Sequence, residues 1–221
     1  MGYGINLRVF GDYACFTRPE MKVERVSYDV ITPSAARGII EAIFWKPSIT
    51  WIIDEIRVLN KIEFTNIRRN EVGERISRQK VAQAMRGSTE NLYLDVTQSR
   101  QQRAALILKN VEYIISAHFE LNENADENES SEKFYNMAIR RMTKGQTFNQ
   151  PYLGTREFSC GFEYVEKDSL SSFTSFYEDE DEIDLGWMLY DIDFSNDMKP
   201  IFYRATMNNG VISVSSAIKA R

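Results

Sequence analysis

Val111-Glu112-Tyr113-Ile114-Ile115-Ser116-Ala117-His118-Phe119 lies inside a longer run from Arg103 to Leu121, rich in apolar and β-branched residues. Such a run reads as one long strand whose successive side chains point to opposite faces. Lys109, Val111, Tyr113, Ile115, Ala117, Phe119 and Leu121 share one face, and Leu108, Asn110, Glu112, Ile114, Ser116, His118 and Glu120 share the other. The first set is the more apolar and is expected to pack on helices, which leaves His118 on the more polar face. His118 is the single histidine among 221 residues. Histidine is the side chain whose ordinary pKa suits proton transfer near neutral pH, so acid–base chemistry in this chain would centre there. The competing reading is a surface or hydrogen-bonded structural histidine.

Upstream of this strand, Tyr3 to Phe10 alternate as a first strand, with Ile5, Leu7 and Val9 on one face. Thr32-Pro33-Ser34 then supplies an N-cap followed by Pro at the first helical position. Ala36, Ile39, Ile40, Ile43 and Phe44 recur at helical spacing, and Pro47 is expected to close that helix after Trp45-Lys46. The β-branched run Ile49 to Ile62 reads as a second strand. Downstream, residues 122–129 form an acidic, Asn-rich loop. Ser131 is expected to cap a helix through Met142, with Phe134, Met137, Ala138 and Met142 on one face, and a further strand is expected near Tyr152 to Phe158.

Strand–helix–strand, twice over, is the split βαβ order of a ferredoxin-like domain. RNA-recognition modules share that architecture, although the aromatic signature of the commonest such module is absent. The expected class is α+β. A ferredoxin-like (RRM-like) domain spans 1–158, a protruding basic thumb arm interrupts it over 64–102, and a small β-rich lobe follows over 159–221. In that lobe, strands are expected at Leu185 to Phe194 and Ile201 to Met207, and Asn208-Asn209-Gly210 is a hairpin signal leading into Val211.

A content of 43% hydrophobic and 27% charged residues is that of a soluble globular protein. No stretch of 18 apolar residues occurs, and the first residues do not run from a basic to an apolar segment. A cytoplasmic location with no membrane partner is therefore expected. Cys15 and Cys160 are far apart and fit a reducing compartment. Two cysteines and one histidine cannot build a typical structural zinc site, and neither a metal nor a cofactor is expected. No Walker loop and no G-x-S-x-G elbow is present. The net charge of −5 conceals segregation. From Arg68 to Lys109 nine basic residues face four acidic ones, a surplus of five. Arg140-Arg141 and Lys144 add a second basic cluster. Such cations suit RNA phosphates, although a merely solvated charged face is the alternative.

Several blocks together resemble one family. They are Phe10-Gly11-Asp12-Tyr13-Ala14-Cys15-Phe16-Thr17-Arg18-Pro19, Ser27-Tyr28-Asp29-Val30, Thr32-Pro33-Ser34-Ala35-Ala36-Arg37-Gly38-Ile39, Trp45-Lys46-Pro47, Ala117-His118-Phe119 and Leu153-Gly154-Thr155-Arg156-Glu157. Their order and spacing resemble the CRISPR-associated Cas five family of the RAMP superfamily, in the subtype I-C form called Cas five d, over nearly the whole chain. The resemblance implies a ferredoxin-like domain with a thumb and a small β-rich lobe. It implies metal-independent cleavage of the repeat hairpin in precursor CRISPR RNA, the ribose 2′-OH attacking the adjacent phosphate. It also implies retention of the 5′ handle of the mature RNA, beside other subunits of the subtype I-C interference complex. The catalytic set of that family is a tyrosine after the first helix, a lysine, and a histidine on the later strand. The histidine falls at His118, the tyrosine position at Phe44 and the lysine position at Ser116. Phe44 cannot exchange a proton and Ser116 carries no charge. The residues expected to hold RNA are Lys22, Arg25, Lys46, Arg68, Arg69, Arg140, Arg141, Lys144 and Arg156. A subunit that binds the 5′ handle without cutting is the alternative, and an α+β domain with another ligand is the third reading.

Overall fold

The structure, a computed structural model, describes residues 3–21, 23–88, 92–194 and 196–214, so Lys22 lies outside the described residues. The strands are β1 (Gly4–Ala14), β2 (Arg25–Val26), β3 (Ile49–Val58), β4 (Phe64–Val72), β5 (Arg100–Leu121), β6 (Gly161–Tyr164), β7 (Glu182–Asp193), β8 (Lys199–Asn208) and β9 (Val211–Ser213). The helices are α1 (Pro33–Ile43), α2 (Arg78–Met85) and α3 (Ser131–Thr143). One sheet runs in the order β6-β1-β5-β3-β9-β8-β7, with β2 and β4 also pairing β5. Neighbours along that path are antiparallel. The protein is therefore of mixed α+β class, and among the described residues no helix is long and apolar enough to cross a membrane.

The long strand supplies the axis. Val9, Tyr113 and Val58 lie side by side across β1, β5 and β3, as do Leu7, Ile115 and Ile56, then Ile5, Ala117 and Ile53. All nine side chains are buried. Period-two alternation brings them to one face, and α1 and α3 bury Ala36, Ile39, Ile40, Ile43, Phe134, Ala138 and Met142 in the same core. The apolar face of β5 is thus the helix face over Val111 to Phe119. Asn110 breaks the alternation below that point. At φ 50° it is left-handed, Leu108 joins the main core, and Lys109 turns out to Glu63 at 3.0 Å instead of packing inward.

Helix α1 starts where its capping chemistry requires. The Thr32 hydroxyl accepts from the Ala35 amide at 3.2 Å and Pro33 opens the first turn. It ends at Ile43, one turn before Pro47. Phe44 is extended, and the indole of Trp51 donates to its carbonyl at 3.0 Å. Ser130, not Ser131, caps α3, accepting from the Lys133 amide at 3.3 Å.

The arm over 64–102 is a β4–β5 ribbon with α2 beyond it, and α2 buries none of its residues. The strand expected at Tyr152 to Phe158 is absent. A single bridge joins Tyr152 to Ser159, and β6 forms later, pairing β1. The reason is Gly154. At φ 83° it lies so close to the chain that an added Cβ would stand 2.1 Å from the Cys15 carbonyl oxygen. The Cys15 amide also donates to the Leu153 carbonyl at 3.1 Å. Residues 153–157 are therefore a loop pinned on the end of β1. Gly154→Ala is expected to lose about 1–3 kcal/mol from the left-handed backbone alone, with the clash in addition, seen as a lower urea midpoint.

The β8–β9 turn follows its sequence signal, with Asn209 at φ 51° and Gly210 at φ 79° and Asn208 paired to Val211. Strand β9 pairs β3, so residues on both sides of position 158 share one sheet. Both cysteines are free and buried, and burial pushes the Cys160 thiol up to about 12.

Candidate active site

His118 sits between Gly4 of β1 and Ile52 of β3. Its neighbour Phe119 packs edge-on against Trp51 in the helix-side core, so His118 points to the opposite face, half-buried. Gly4 has no side chain to cover it, and the imidazole stays open on that flank. The Nδ1 atom is 2.8 Å from Oδ2 of Asp54. The Nε2 atom is 3.9 Å from Glu120, too far for a hydrogen bond. A carboxylate on Nδ1 fixes the ring orientation and leaves Nε2 as the acceptor of the neutral ring.

A β-bulge makes this contact. Ile53 pairs with Ala117 and Glu55 with Ser116, so Asp54 is the extra residue of β3. Bulges re-aim side chains and occur often beside active sites. Sequence reasoning missed Asp54. The available signal was the pair Asp54-Glu55, which interrupts the alternation of Ile52-Ile53 and Ile56.

Ser116 shares the face of His118, and its hydroxyl donates to Asn6 at 2.9 Å across the paired strands. Phe44 is not brought to them. Only 2% exposed, it packs against Phe134 of α3, with the Arg141 guanidinium 6.0 Å from its ring. Of the three positions expected to act together, two share a face and the third belongs to the helix-side core.

The expected cations fall into two groups. Arg25 pairs with Glu71 at 2.9 Å, Arg69 pairs with Glu157, and Arg141 donates to the Ile43 carbonyl at 3.1 Å. Glu71 also takes Arg103 at 3.1 Å, so Arg25, Arg69 and Arg103 share two carboxylates, Glu71 and Glu157, and keep a net positive charge. Lys46, Arg68, Arg140, Lys144 and Arg156 have no ion pair among the described residues. All but the half-buried Lys46 are exposed. Among the described residues no group of three or more His, Cys, Asp or Glu side chains is arranged to hold a metal ion.

The antiparallel sheet, its ribbon and the carboxylate-held histidine belong to a chain whose relatives are CRISPR-associated proteins. The Cas5d family model, described as CRISPR-associated protein (Cas_Cas5), matches residues 4–215. A protein of Mannheimia succiniciproducens named CRISPR pre-crRNA endoribonuclease Cas5d is 52% identical over 97% of this chain and 96% of its own. A protein of Thermus thermophilus with the same name is 39% identical over 87% of this chain and 75% of its own. The chain belongs to the Cas5 family, in its subtype I-C form. Among solved structures, one titled as that of a CRISPR-associated protein superposes with a TM-score of 0.71 at 26% identity, covering 98% of this chain and 93% of that one. A functionally uncharacterized protein, SMU1763c of Streptococcus mutans, gives 0.67 at 26% identity, covering 95% and 91%.

Proposed function

We propose that the protein is a metal-independent endoribonuclease that cuts precursor CRISPR RNA at the repeat hairpin and stays on the 5′ handle within a subtype I-C interference complex. The observation that carries this reading is the His118–Asp54 pair at 2.8 Å on an open strand face. Nε2 takes the proton of the ribose 2′-OH, and the 2′ oxygen attacks the adjacent phosphorus. The bond from phosphorus to the 5′ oxygen breaks, leaving a 2′,3′-cyclic phosphate and a 5′-oxygen that takes its proton from solvent. Asp54 orients the ring and stabilises the imidazolium as it forms. Lys46, Arg68, Arg140, Lys144 and Arg156 hold phosphates in this reading, while Arg25, Arg69 and Arg141 are tied to Glu71, Glu157 and the Ile43 carbonyl. The chain order and the strand order β6-β1-β5-β3, with α1 between β1 and β3 and α3 between β5 and β6, support reading residues 1–158 as a ferredoxin-like unit completed by β6. The ribbon over 64–102 is its thumb. Partners are precursor and mature CRISPR RNA and the other subunits of the complex.

The test is incubation with the cognate repeat RNA in EDTA, with end-group analysis of the products. A cyclic phosphate formed in EDTA supports the proposal, and an intact RNA at every pH contradicts it. Asp54→Asn keeps the shape and removes the charge. It is expected to lower kcat about tenfold or more, up to the roughly 100- to 10,000-fold that an acid–base group supplies, without weakening RNA binding.

The burial of Phe44 and the Ser116–Asn6 hydrogen bond favour one second reading, a subunit that clamps the handle without cutting. Tight binding with no cyclic-phosphate product would select it.

A further inference from the structure

A cleft of about 650 Å³ opens on the helix side of the sheet, away from His118, beside the C-terminal turn of α1. Its size is that of a small-molecule site, roughly 300–1,000 Å³. Three aromatic side chains are exposed at it: Trp45 at 53%, Phe148 at 80% and Tyr152 at 41%. Large rings at such exposure lack the burial that ordinarily accounts for them. The chain holds Phe148 there by backbone bonds. The amides of Phe148 and Asn149 both donate to the Ala42 carbonyl, at 2.9 and 3.0 Å, and the Gln146 amide donates to the Arg141 carbonyl at 2.9 Å. The floor is small. Gly38 and Ala42 lie one helical turn apart, and a Cβ added at Gly38 would meet nothing within 4 Å.

The polar lining is equally specific. Asn149 and Gln150 bring amides that both donate and accept, and Arg156 brings a guanidinium with no ion pair among the described residues. The one carboxylate in the lining, Glu41, is met by Arg37 at 3.5 Å. A second groove of about 430 Å³ shares Gly38, Ala42, Pro151 and Tyr152 and continues to Leu189 and Ile192. The two together form a trough, which fits a strand better than a free mononucleotide.

We propose that this trough seats unpaired nucleotides of the RNA, the bases stacking on Trp45, Phe148 and Tyr152, the amides of Asn149 and Gln150 reading base edges, and Arg156 meeting a phosphate. Exposed π faces interleaved with amides and an unpaired guanidinium are the chemistry of single-stranded RNA recognition. Protein-docking patches are also enriched in aromatic and arginine side chains; here the amides of Asn149 and Gln150 beside the rings favour bases, which have both π faces and hydrogen-bonding edges. The trough and His118 lie on opposite faces of the sheet, so the bases held here flank the cut and are not the reacting nucleotides. This inference rests on the RNA-processing reading above.

The experiment measures equilibrium binding of fluorescent repeat RNA to the full chain in a His118→Ala background, which keeps the RNA uncut. Trp45→Ala and Phe148→Ala are each expected to weaken binding about 5- to 100-fold. Phe176→Ala, an exposed aromatic elsewhere, is expected to leave it unchanged. Abasic substitutions scanned along the unpaired flanks are expected to find a position whose loss is not additive with that of Trp45→Ala. Equal binding by the Trp45→Ala, Phe148→Ala and parent proteins overturns the inference while leaving the endoribonuclease reading intact. Loss of assembly with other complex subunits, with RNA binding unchanged, also overturns it in favour of a protein-docking patch. Failure of the parent to bind repeat RNA at low salt overturns both.

Discussion

His118→Ala is expected to slow repeat-RNA cleavage by about 100- to 10,000-fold, the share that a positioned acid–base group ordinarily supplies. The effect should fall on kcat, because the half-buried ring is one small contact beside an extended surface of cations that carry RNA affinity. No other histidine exists to substitute for it. The two family positions that would assist it cannot. Phe44 is buried against Phe134, and the Ser116 hydroxyl is committed to Asn6. The check is a single-turnover assay in EDTA with binding measured in parallel. Cleavage by the alanine variant at the parent rate would remove His118 from the chemistry. Ser116→Lys, on the face that His118 occupies, separates the two readings of the protein. If the site now clamps, this change should raise a negligible rate. If His118 and Asp54 already suffice, the gain should be small.

Trp51→Ala is expected to be the most damaging substitution in the core. The side chain is 2% exposed, meets Phe119 edge-on at 5.1 Å between ring centroids, and donates its indole N–H to the Phe44 carbonyl. Removing a buried Trp costs about 3–5 kcal/mol in lost burial and cavity formation. The orphaned carbonyl adds to that. For 221 residues that corresponds to a fall in Tm of roughly 6–20 °C, read by calorimetry. Trp51→Phe should recover part of the packing loss but not the hydrogen bond. The variant should also loosen the chain after α1, where Trp45 and Lys46 stand, so RNA binding should weaken below the melting transition.

Much of the frame was legible in the residues because local chemistry specified it. Thr32-Pro33 begins α1, Asn209-Gly210 turns β8 into β9, and the alternation from Val111 to Phe119 places His118 off the helix face. Other readings failed where long-range contacts won. The run Tyr152 to Phe158 has the composition of a strand, yet Gly154 must approach the Cys15 backbone, so the run loops and β6 takes the place beside β1. Of the cations counted as RNA ligands, Arg25 and Arg69 are held by acids 46 and 88 residues away, at Glu71 and Glu157.

The sequence by itself determined where α1 begins, where β8 turns into β9, the long strand β5, the single histidine and the face it occupies, because capping, turn chemistry and period-two alternation act over a few residues. Only the tertiary structure decided who stands beside that histidine. Asp54 reaches it through a bulge between β3 and β5, and Phe44 is drawn away into the α1–α3 packing. Both outcomes depend on cross-strand register and on contacts between residues far apart in the chain, and neither is written in the spacing of any local motif.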